Sequence, residues 1–316
     1  MHPSRMTAVS VPVFAFACAV LLAACAQTDD NAATVEADTA GDAAATASLT
    51  SIADVGFQTP ESVLYDEQAD VYIVSNINGE PLGADGNGFI SRVRPTGAVE
   101  SLKWIDGEAD GITLNAPKGM ALSGDTLFVA DIDSVRAFHR TTGEPLGARG
   151  IAGASFLNDL TTGPDGALYV TDTGMDASFS PTGTDAIHRF DATGSQSFAG
   201  APDLAAPNGI VADDGGIIVV GFGGPVVQRI AAGGGTPDSV ATLPAGQLDG
   251  VVRTSDGTLF VSSWEGQAVY RVSPDGAVST VVENVEAPAD IGWDTRRQRL
   301  LIPLFNGNRI EVREIR

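Results

Sequence analysis

The segment Leu157–Thr173, LNDLTTGPDGALYVTDT, decides the fold because its pattern recurs along the chain. Similar segments are PNGIVADDGGIIVVGF, residues 207–222, and LDGVVRTSDGTLFVSSW, residues 248–264. Each has an Asn or Asp near its start, a short apolar run, a turn at Asp-Gly or Gly-Gly, and a second apolar run. Short apolar runs joined by such turns are typical of antiparallel β-hairpins.

Six copies of this pattern follow one another along the chain. They open at Glu61, Lys118, Asn158, Asn208, Asp249 and Ala289. The openings are 57, 40, 50, 41 and 40 residues apart, which is the period of β-propeller blades. A third strand with alternating character follows each hairpin, as in AIHRFDA, residues 186–192. We therefore predict an all-β fold, a six-bladed β-propeller of four-stranded blades over residues 49–316.

The last copy ends after its third strand, RIEVREIR, so its sheet is one strand short. The segment SLTSIADVGF, residues 48–57, precedes the first copy and can supply that strand. We expect it to complete the last blade and close the ring, because closure removes an exposed sheet edge.

Residues 1–25 have a basic start, an apolar run and the ending Leu22-Ala23-Ala24-Cys25. This pattern predicts an export signal that resembles the lipobox of bacterial lipoproteins, with lipidation of Cys25. An ordinary secretory peptide is the alternative. Residues 26–48 are rich in Ala, Thr and acidic residues, which predicts a solvated tether. We expect the protein outside the cytoplasm, held to the membrane by its lipid anchor only, and facing the periplasm from the outer membrane if the cell has two membranes.

Composition excludes several classes of function. The formal net charge is −22, with 40 acidic and 18 basic residues, which argues against a nucleic-acid partner. The two cysteines, Cys18 and Cys25, both lie in the predicted signal, so thiol catalysis and Cys-based zinc sites are excluded from the body of the chain. We expect a monomer with a small-molecule partner.

The residues that open the copies are candidate metal ligands. In a propeller the first strand of each blade lines the channel, so Glu61, Asn158, Asn208 and Asp249 converge on one face. Carboxylates and amides crowded in a channel are costly unless they are paired, and a divalent cation pairs them. Oxygen ligands without His or Cys favour Ca²⁺ over Mg²⁺. The alternative is that Asn-Gly and Asp-Gly only form turns, as in metal-free propellers of the NHL type.

Four motifs in the same repeat position resemble the metal-site residues of the gluconolactonase and regucalcin-type propellers. They are Glu61, Asn158-Asp159, Asn208-Gly209 and Asp249-Gly250. The resemblance extends from about residue 57 to the end of the chain. It implies a divalent ion, Ca²⁺ or alternatively Zn²⁺, Mn²⁺ or Mg²⁺, held by Glu61, Asn208 and Asp249 with Asn158 nearby. It also implies hydrolysis of sugar lactones.

For such a hydrolase we predict Asp249 as the proton acceptor and Asp159 as the second choice, because both are expected at the channel mouth. A Ser-based mechanism is not indicated, because the sequence has no GxSxG motif. His139 and His188 fall on predicted third strands, away from the channel.

The predicted substrate pocket contains Lys118, Phe156, Trp264, Asn306 and Asn76. Two insertions, residues 76–89 and 172–187, are expected to roof it. Lys118 either balances the carboxylates or binds an anionic group of the substrate.

Phe156 stands two residues before Asn158, where the sugar-lactone hydrolases often have Arg. Loss of the guanidinium argues against a sugar-acid lactone and favours a more apolar lactone or ester.

A second hypothesis is a non-catalytic propeller that binds a protein or glycan at the cell envelope. The tether, the long loops and the missing Arg motivate it. Both hypotheses use the same face of the fold.

Overall fold

The computed structural model of the protein describes residues 49–191, 194–200 and 203–315. The predicted signal, Cys25 and the tether lie outside the described residues. Within them, β-strands form six four-stranded antiparallel sheets, and the helical structure is one 3₁₀ turn, Phe305–Gly307. The described part of the chain contains no helix with the length and apolar character needed to cross a membrane. The prediction of an all-β, six-bladed propeller is confirmed.

Each blade runs from the channel outward in chain order, and the last blade takes its outer strand from the start of the domain. The first strands are β2 (Pro60–Asp66), β6 (Pro117–Ser123), β10 (Leu157–Thr162), β14 (Pro207–Asp213), β18 (Leu248–Arg253) and β22 (Gly292–Asp294). The second strands are β3 (Val71–Asn76), β7 (Thr126–Asp131), β11 (Leu168–Asp172), β15 (Gly216–Gly221), β19 (Leu259–Ser263) and β23 (Arg299–Leu304). The third strands are β4 (Phe89–Val93), β8 (Ser134–His139), β12 (Ala186–Asp191), β16 (Val226–Ala231), β20 (Ala268–Val272) and β24 (Arg309–Glu314). The outer strands are β5 (Val99–Asp106), β9 (Pro145–Gly150), β13 (Gly194–Gly200), β17 (Asp238–Thr242), β21 (Val278–Glu283) and β1 (Ser51–Ile52).

Apolar clusters lie between all pairs of adjacent blades. Between the first and second blades, for example, Ile73 of β3 packs in one cluster with Met120 of β6 and Val129 of β7. Each blade is therefore covered on both faces, which is why second strands such as β3 and β19 are buried at every residue. Most side chains of these two strands are accordingly apolar or small.

The ring closes as the sequence predicts. Strand β1 pairs antiparallel with β24, with Ser51 opposite Glu311 and Ile52 opposite Ile310. Ile52 is buried in the cluster between the last and first blades. The pairing covers the free edge of β24 and fixes the two ends of the domain in one sheet.

The first strands share an irregularity that positions the site. Strands β2, β6, β10, β14 and β18 each shift register against their second strand at the opening residue and the residue after it. A β-bulge of this kind bends the strand and changes the direction of the side chains at the bulge.

The glycines at these bulges allow neighbouring blades to pack closely. Gly209 and Gly250 lie inside β14 and β18 and do not have positive φ. A Cβ atom on Gly209 would lie 2.3 Å from the carbonyl oxygen of Asp249, and one on Gly250 would lie 2.4 Å from the backbone nitrogen of Ile291. The Asn-Gly and Asp-Gly pairs are therefore strand residues that let neighbouring blades approach, and the interpretation of these pairs as turns is wrong.

Candidate metal and substrate site

A cavity of about 850 Å³ lies at one end of the central channel. The opening residues of five blades line it: Glu61, Lys118, Asn158, Asn208 and Asp249. Phe156, Trp264 and Asn306, which the sequence also places in the pocket, line the same cavity. The structure therefore brings these eight side chains to one site.

Four oxygen atoms of this site have no hydrogen-bond partner among the described residues. They are Glu61 Oε2, Asn158 Oδ1, Asn208 Oδ1 and Asp249 Oδ1. The four side chains are only 4–5 % exposed. A buried polar atom without a partner is costly, so four of them on one cavity indicate a ligand that supplies the missing interaction.

Thr173 fixes the orientation of one of these amides. Asn158 Nδ2 donates a hydrogen bond of 3.0 Å to Thr173 Oγ1, and that hydroxyl donates one of 2.9 Å to the carbonyl oxygen of Pro207. Because the amide nitrogen is held in this way, Asn158 Oδ1 is the atom left for the cavity. Thr173 lines the cavity and was not predicted from the sequence.

Both carboxyl groups of the set have raised pKa values. Burial is the main cause for each; the negative charge of Asp249 adds to the pKa rise of Glu61, and that of Asp290 adds to the rise of Asp249. Lys118 partly offsets the effect on Glu61, and the indole N–H of Trp264 partly offsets that on Asp249. Trp264 Nε1 has no hydrogen-bond partner among the described residues, so it acts on Asp249 without a full hydrogen bond. A dication in the cavity would favour the ionised form of both groups.

The donor set fits a hard divalent cation. Two carboxylates and two amide oxygens are the ligand types that Ca²⁺ uses. The described residues hold no group of three or more His, Cys, Asp or Glu side chains placed for one metal ion. A cation bound at this site would therefore take half of its side-chain ligands from amides.

Asp159 lies at the other end of the channel, contrary to the prediction that it lies at the mouth. Its carboxylate accepts hydrogen bonds from the backbone N–H groups of Leu160, at 2.6 Å, and Ile210, at 2.8 Å. It lines a separate cavity together with Ser62 and Asp290. The bulge in β10 explains the difference, because it directs Asn158 and Asp159 to opposite ends of the channel.

Asn76 does not line the cavity, contrary to the prediction. It is the last residue of β3, where its Oδ1 accepts from the backbone N–H of Gln58 and its Nδ2 donates to Ser91 Oγ. The next residue, Ile77, lines the cavity instead.

The residue directly after the second strand contributes to the cavity in five of the blades: Ile77, Thr173, Phe222, Trp264 and Phe305. In each case the backbone N–H of this residue donates a hydrogen bond to the segment before the first strand, as in the 3.0 Å bond from Trp264 N to Gln247 O.

Aromatic side chains form much of the cavity wall. The Trp264 ring lies 5.5 Å from that of Phe222 and 5.3 Å from that of Phe305, between centroids. Phe179, from the insertion at residues 172–187, lies 6.2 Å from Phe156. Pro81, from the insertion at residues 76–89, also lines the cavity, so both insertions reach the site as expected.

Residues 59–293 match the family model described as SMP-30/Gluconolactonase/LRE-like region, which is more than half of the chain. The chain belongs to this family. No curated protein sequence matches the chain significantly.

Solved structures of similar fold include members with different activities. A gluconolactonase from Xanthomonas campestris is 20 % identical, with a TM-score of 0.61 over 81 % of this chain and 87 % of that chain. A luciferin-regenerating enzyme is 15 % identical, with a TM-score of 0.63 over 83 % and 93 %. The calcium-binding protein regucalcin from Agrobacterium tumefaciens is 18 % identical, with a TM-score of 0.58 over 80 % and 85 %. At these identities the similarity establishes the propeller fold alone.

Lys118 is not among the motifs by which the sequence resembles the SMP-30/gluconolactonase family. Its side chain is 1 % exposed; Nζ donates a 2.9 Å hydrogen bond to the carbonyl oxygen of Ala116 and lies 4.9 Å from the centroid of the Phe156 ring. Burial lowers the pKa of Lys118 to about 8, and the charges of Glu61 and Asp131 partly offset this. Lys118 thus supplies positive charge beside Glu61 and reaches the cavity surface.

Proposed function

We propose that this protein is a divalent-metal-dependent hydrolase of a lactone or related ester, with Ca²⁺ as the preferred ion. The observation that carries the proposal is the set of four buried oxygens, of Glu61, Asn158, Asn208 and Asp249, that lie in one cavity without a hydrogen-bond partner among the described residues. Membership of the family supports the class of reaction. The cavity has the volume of a small-molecule site.

These four residues would hold the ion, and a divalent ion bound there supplies Lewis-acid chemistry toward the ester carbonyl. Hydrolysis forms a bond from water oxygen to the acyl carbon and breaks the bond to the ester oxygen. Asp249 is the residue that accepts the proton of the attacking water and returns it to the leaving alkoxide. Asp159 does not serve as a second proton acceptor, because its carboxylate is bonded to two backbone N–H groups at the other end of the channel.

The remaining cavity residues position the groups that react. Thr173 holds the Asn158 amide, and Lys118 keeps positive charge beside Glu61. The rings of Phe156 and Trp264 exclude water from the cavity wall, which strengthens electrostatic interactions at the floor.

We place the protein outside the cytoplasm, anchored by a lipid on Cys25, on the basis of the N-terminal sequence. The mass of the mature N-terminal peptide tests this part. A diacylated or triacylated Cys25 supports it, and an unmodified N-terminus at Ala26 contradicts the lipid anchor while still indicating export.

Acid release from a panel of lactones and aryl esters tests the activity. The purified chain is treated with a chelator and then assayed with Ca²⁺, Mn²⁺ or Zn²⁺ added back. We expect hydrolysis that depends on the added ion and falls by at least about 100-fold in Asp249→Ala. Ion binding without hydrolysis of any substrate would favour the non-catalytic envelope-binding hypothesis instead.

A further inference from the structure

Polarity in the cavity changes from floor to rim. The oxygen-bearing floor residues and Lys118 are buried, whereas Gln247, Asn306 and Asn308 are exposed at the rim. Between them lie side chains of intermediate or low exposure that are mainly apolar: Ile77, Phe156, Met175, Phe222, Trp264 and Phe305. The middle of the cavity is therefore an apolar, largely aromatic sleeve.

Several polar groups of the cavity are already paired within the protein. The Thr173 hydroxyl accepts from Asn158 and donates to Pro207. Asn308 Oδ1 accepts a 2.8 Å hydrogen bond from the backbone N–H of Thr59, and Lys118 donates to Ala116. A substrate with hydroxyl groups along its length would bury them against the sleeve with few partners, which is costly.

Phe179 extends the sleeve from the insertion and is held in an unusual conformation. It has φ of 56°, in the left-handed region that bulky side chains rarely occupy. The turn is fixed by Asp176, whose carboxylate accepts from the N–H groups of Ser178 and Ser180 and whose carbonyl oxygen accepts from the N–H of Phe179. The ring is 53 % exposed, so its own burial does not explain the strained turn. The ring lies against that of Phe156 and lines the cavity.

We propose that the substrate is a lactone or ester with an apolar body, an alkyl or aryl group that fills the aromatic sleeve, and not a polyhydroxylated sugar lactone. This inference rests on the proposed hydrolase function and specifies its substrate class. The ester group lies at the oxygen-lined floor, and the apolar body extends past Trp264 and Phe156 toward Phe179. Hydrolysis adds one water and yields the hydroxy acid, or the acid and alcohol, with no other reactant.

A matched pair of six-membered lactones tests the inference: glucono-δ-lactone and a δ-lactone with a pentyl chain. Both contain the same ring ester, and they differ in the groups attached to the ring, which would contact the aromatic sleeve. We expect kcat/KM with added Ca²⁺ to be at least about 30-fold higher for the pentyl lactone. Phe179→Ala should raise KM for the pentyl lactone about fivefold and leave kcat within about twofold.

Leu146→Ala is the control, because Leu146 is similarly exposed, at 56 %, but lies on β9 away from this cavity. It should leave both constants unchanged. Equal or better hydrolysis of glucono-δ-lactone would overturn the substrate class while leaving the hydrolase function intact.

A second measurement tests the substrate class by binding alone, in case neither these lactones nor any ester of the panel is hydrolysed, which would contradict the hydrolase function. Trp264 lines this cavity, whereas Trp104 lies on β5 and Trp293 lines the opposite one, so tryptophan fluorescence reports on the sleeve through Trp264. Saturable quenching by the pentyl lactone that is weaker in Phe179→Ala and lost in Trp264→Phe would support an apolar ligand. No response to the pentyl lactone, or the same response to both lactones, would overturn the inference.

Discussion

The two ends of the central channel carry similar side chains but differ in how those side chains are hydrogen-bonded. At the cavity end, one oxygen each of Glu61 and Asp249 has no partner in the described structure. At the opposite end, Asp159 accepts from two backbone N–H groups and Asp290 accepts from the hydroxyl of Ser62. All four carboxyl groups are buried, and burial raises the pKa of each. The comparison shows that hydrogen-bond satisfaction, and not burial or charge, separates a candidate ligand site from a structural acid cluster.

Removing one carboxylate from each end gives the largest expected contrast. We expect Glu61→Gln or Asp249→Asn to weaken Ca²⁺ binding by at least about 100-fold, because each removes a charged ligand. Asp290→Asn should change the affinity by no more than about threefold. Titration calorimetry on the chelator-treated protein measures this, with thermal unfolding to confirm that the variants are folded. A comparable loss in Asp290→Asn would mean that the two ends act as one site.

The glycine between the two ends should be sensitive to a single methyl group. In Gly250→Ala the added Cβ would lie 2.4 Å from Ile291 N and 2.6 Å from Asp290 Oδ1. We expect the free energy of unfolding to fall by about 2 kcal/mol, as for other overpacked sites. Gly233→Ala is the control, because its Cβ would meet none of the described residues within 4 Å, and its free energy of unfolding should stay within about 0.5 kcal/mol of the native value. Equal urea midpoints for the two variants would contradict the close-packing role of Gly250.

A substitution at Thr173 tests the cavity end of the channel without changing a residue at the opposite end. Thr173→Val keeps the shape but removes the hydroxyl that holds the Asn158 amide. We expect Ca²⁺ affinity to fall about tenfold, a size typical for residues that orient metal ligands. Thr173→Ser retains the hydroxyl and should bind within about twofold of the native chain. Calorimetric affinities that are the same for Val and Ser would show that the amide needs no such support.

The smallest predicted effect is a pH dependence that originates at the end opposite the cavity. Burial raises the pKa of Asp290 to about 7, and the hydrogen bond from Ser62 partly offsets this. Between its ordinary value of 3.8 and about 7, the folded chain keeps a proton that the unfolded chain loses, so stability falls as pH rises through this window. Relative to Asp290→Asn, we expect the metal-free chain to lose about 3–6 °C of Tm between pH 5 and pH 8.

The difference between these two melting curves cancels groups whose pKa Asp290 does not influence, such as His188, whose pKa burial lowers. Parallel melting curves for the two chains would contradict the assignment to Asp290.

The fold and the set of opening residues follow from local patterns in the sequence. Apolar runs with Asp-Gly turns define the hairpins, and the period of the copies defines the blades. Convergence of Glu61, Asn158, Asn208 and Asp249 then follows from ring symmetry, because equivalent positions must meet at the channel. A repeat position therefore carries three-dimensional information that a single motif does not.

The positions of Asp159 and Asn76 could not be predicted in the same way. Whether two adjacent residues point to the same end or to opposite ends depends on the bulge, and in β10 no glycine marks the bulge as Gly209 and Gly250 do in β14 and β18. For Asn76 the sequence did contain the information. Ile77, one residue after Asn76, occupies the same repeat position as Phe222, Trp264 and Phe305. Phe179 lies in an insertion without a counterpart in the other copies, so no repeat could identify it.

Pairing of β1 with β24 joins residues about 260 positions apart, since Ser51 lies opposite Glu311. The ring therefore cannot be completed until the residues of β24 have been synthesised. Until then the partial propeller ends in an uncovered strand edge, which is the surface through which incomplete β-proteins associate. Completion of the native ring is therefore a late step, because it follows translation of residues 309–314 in the last blade.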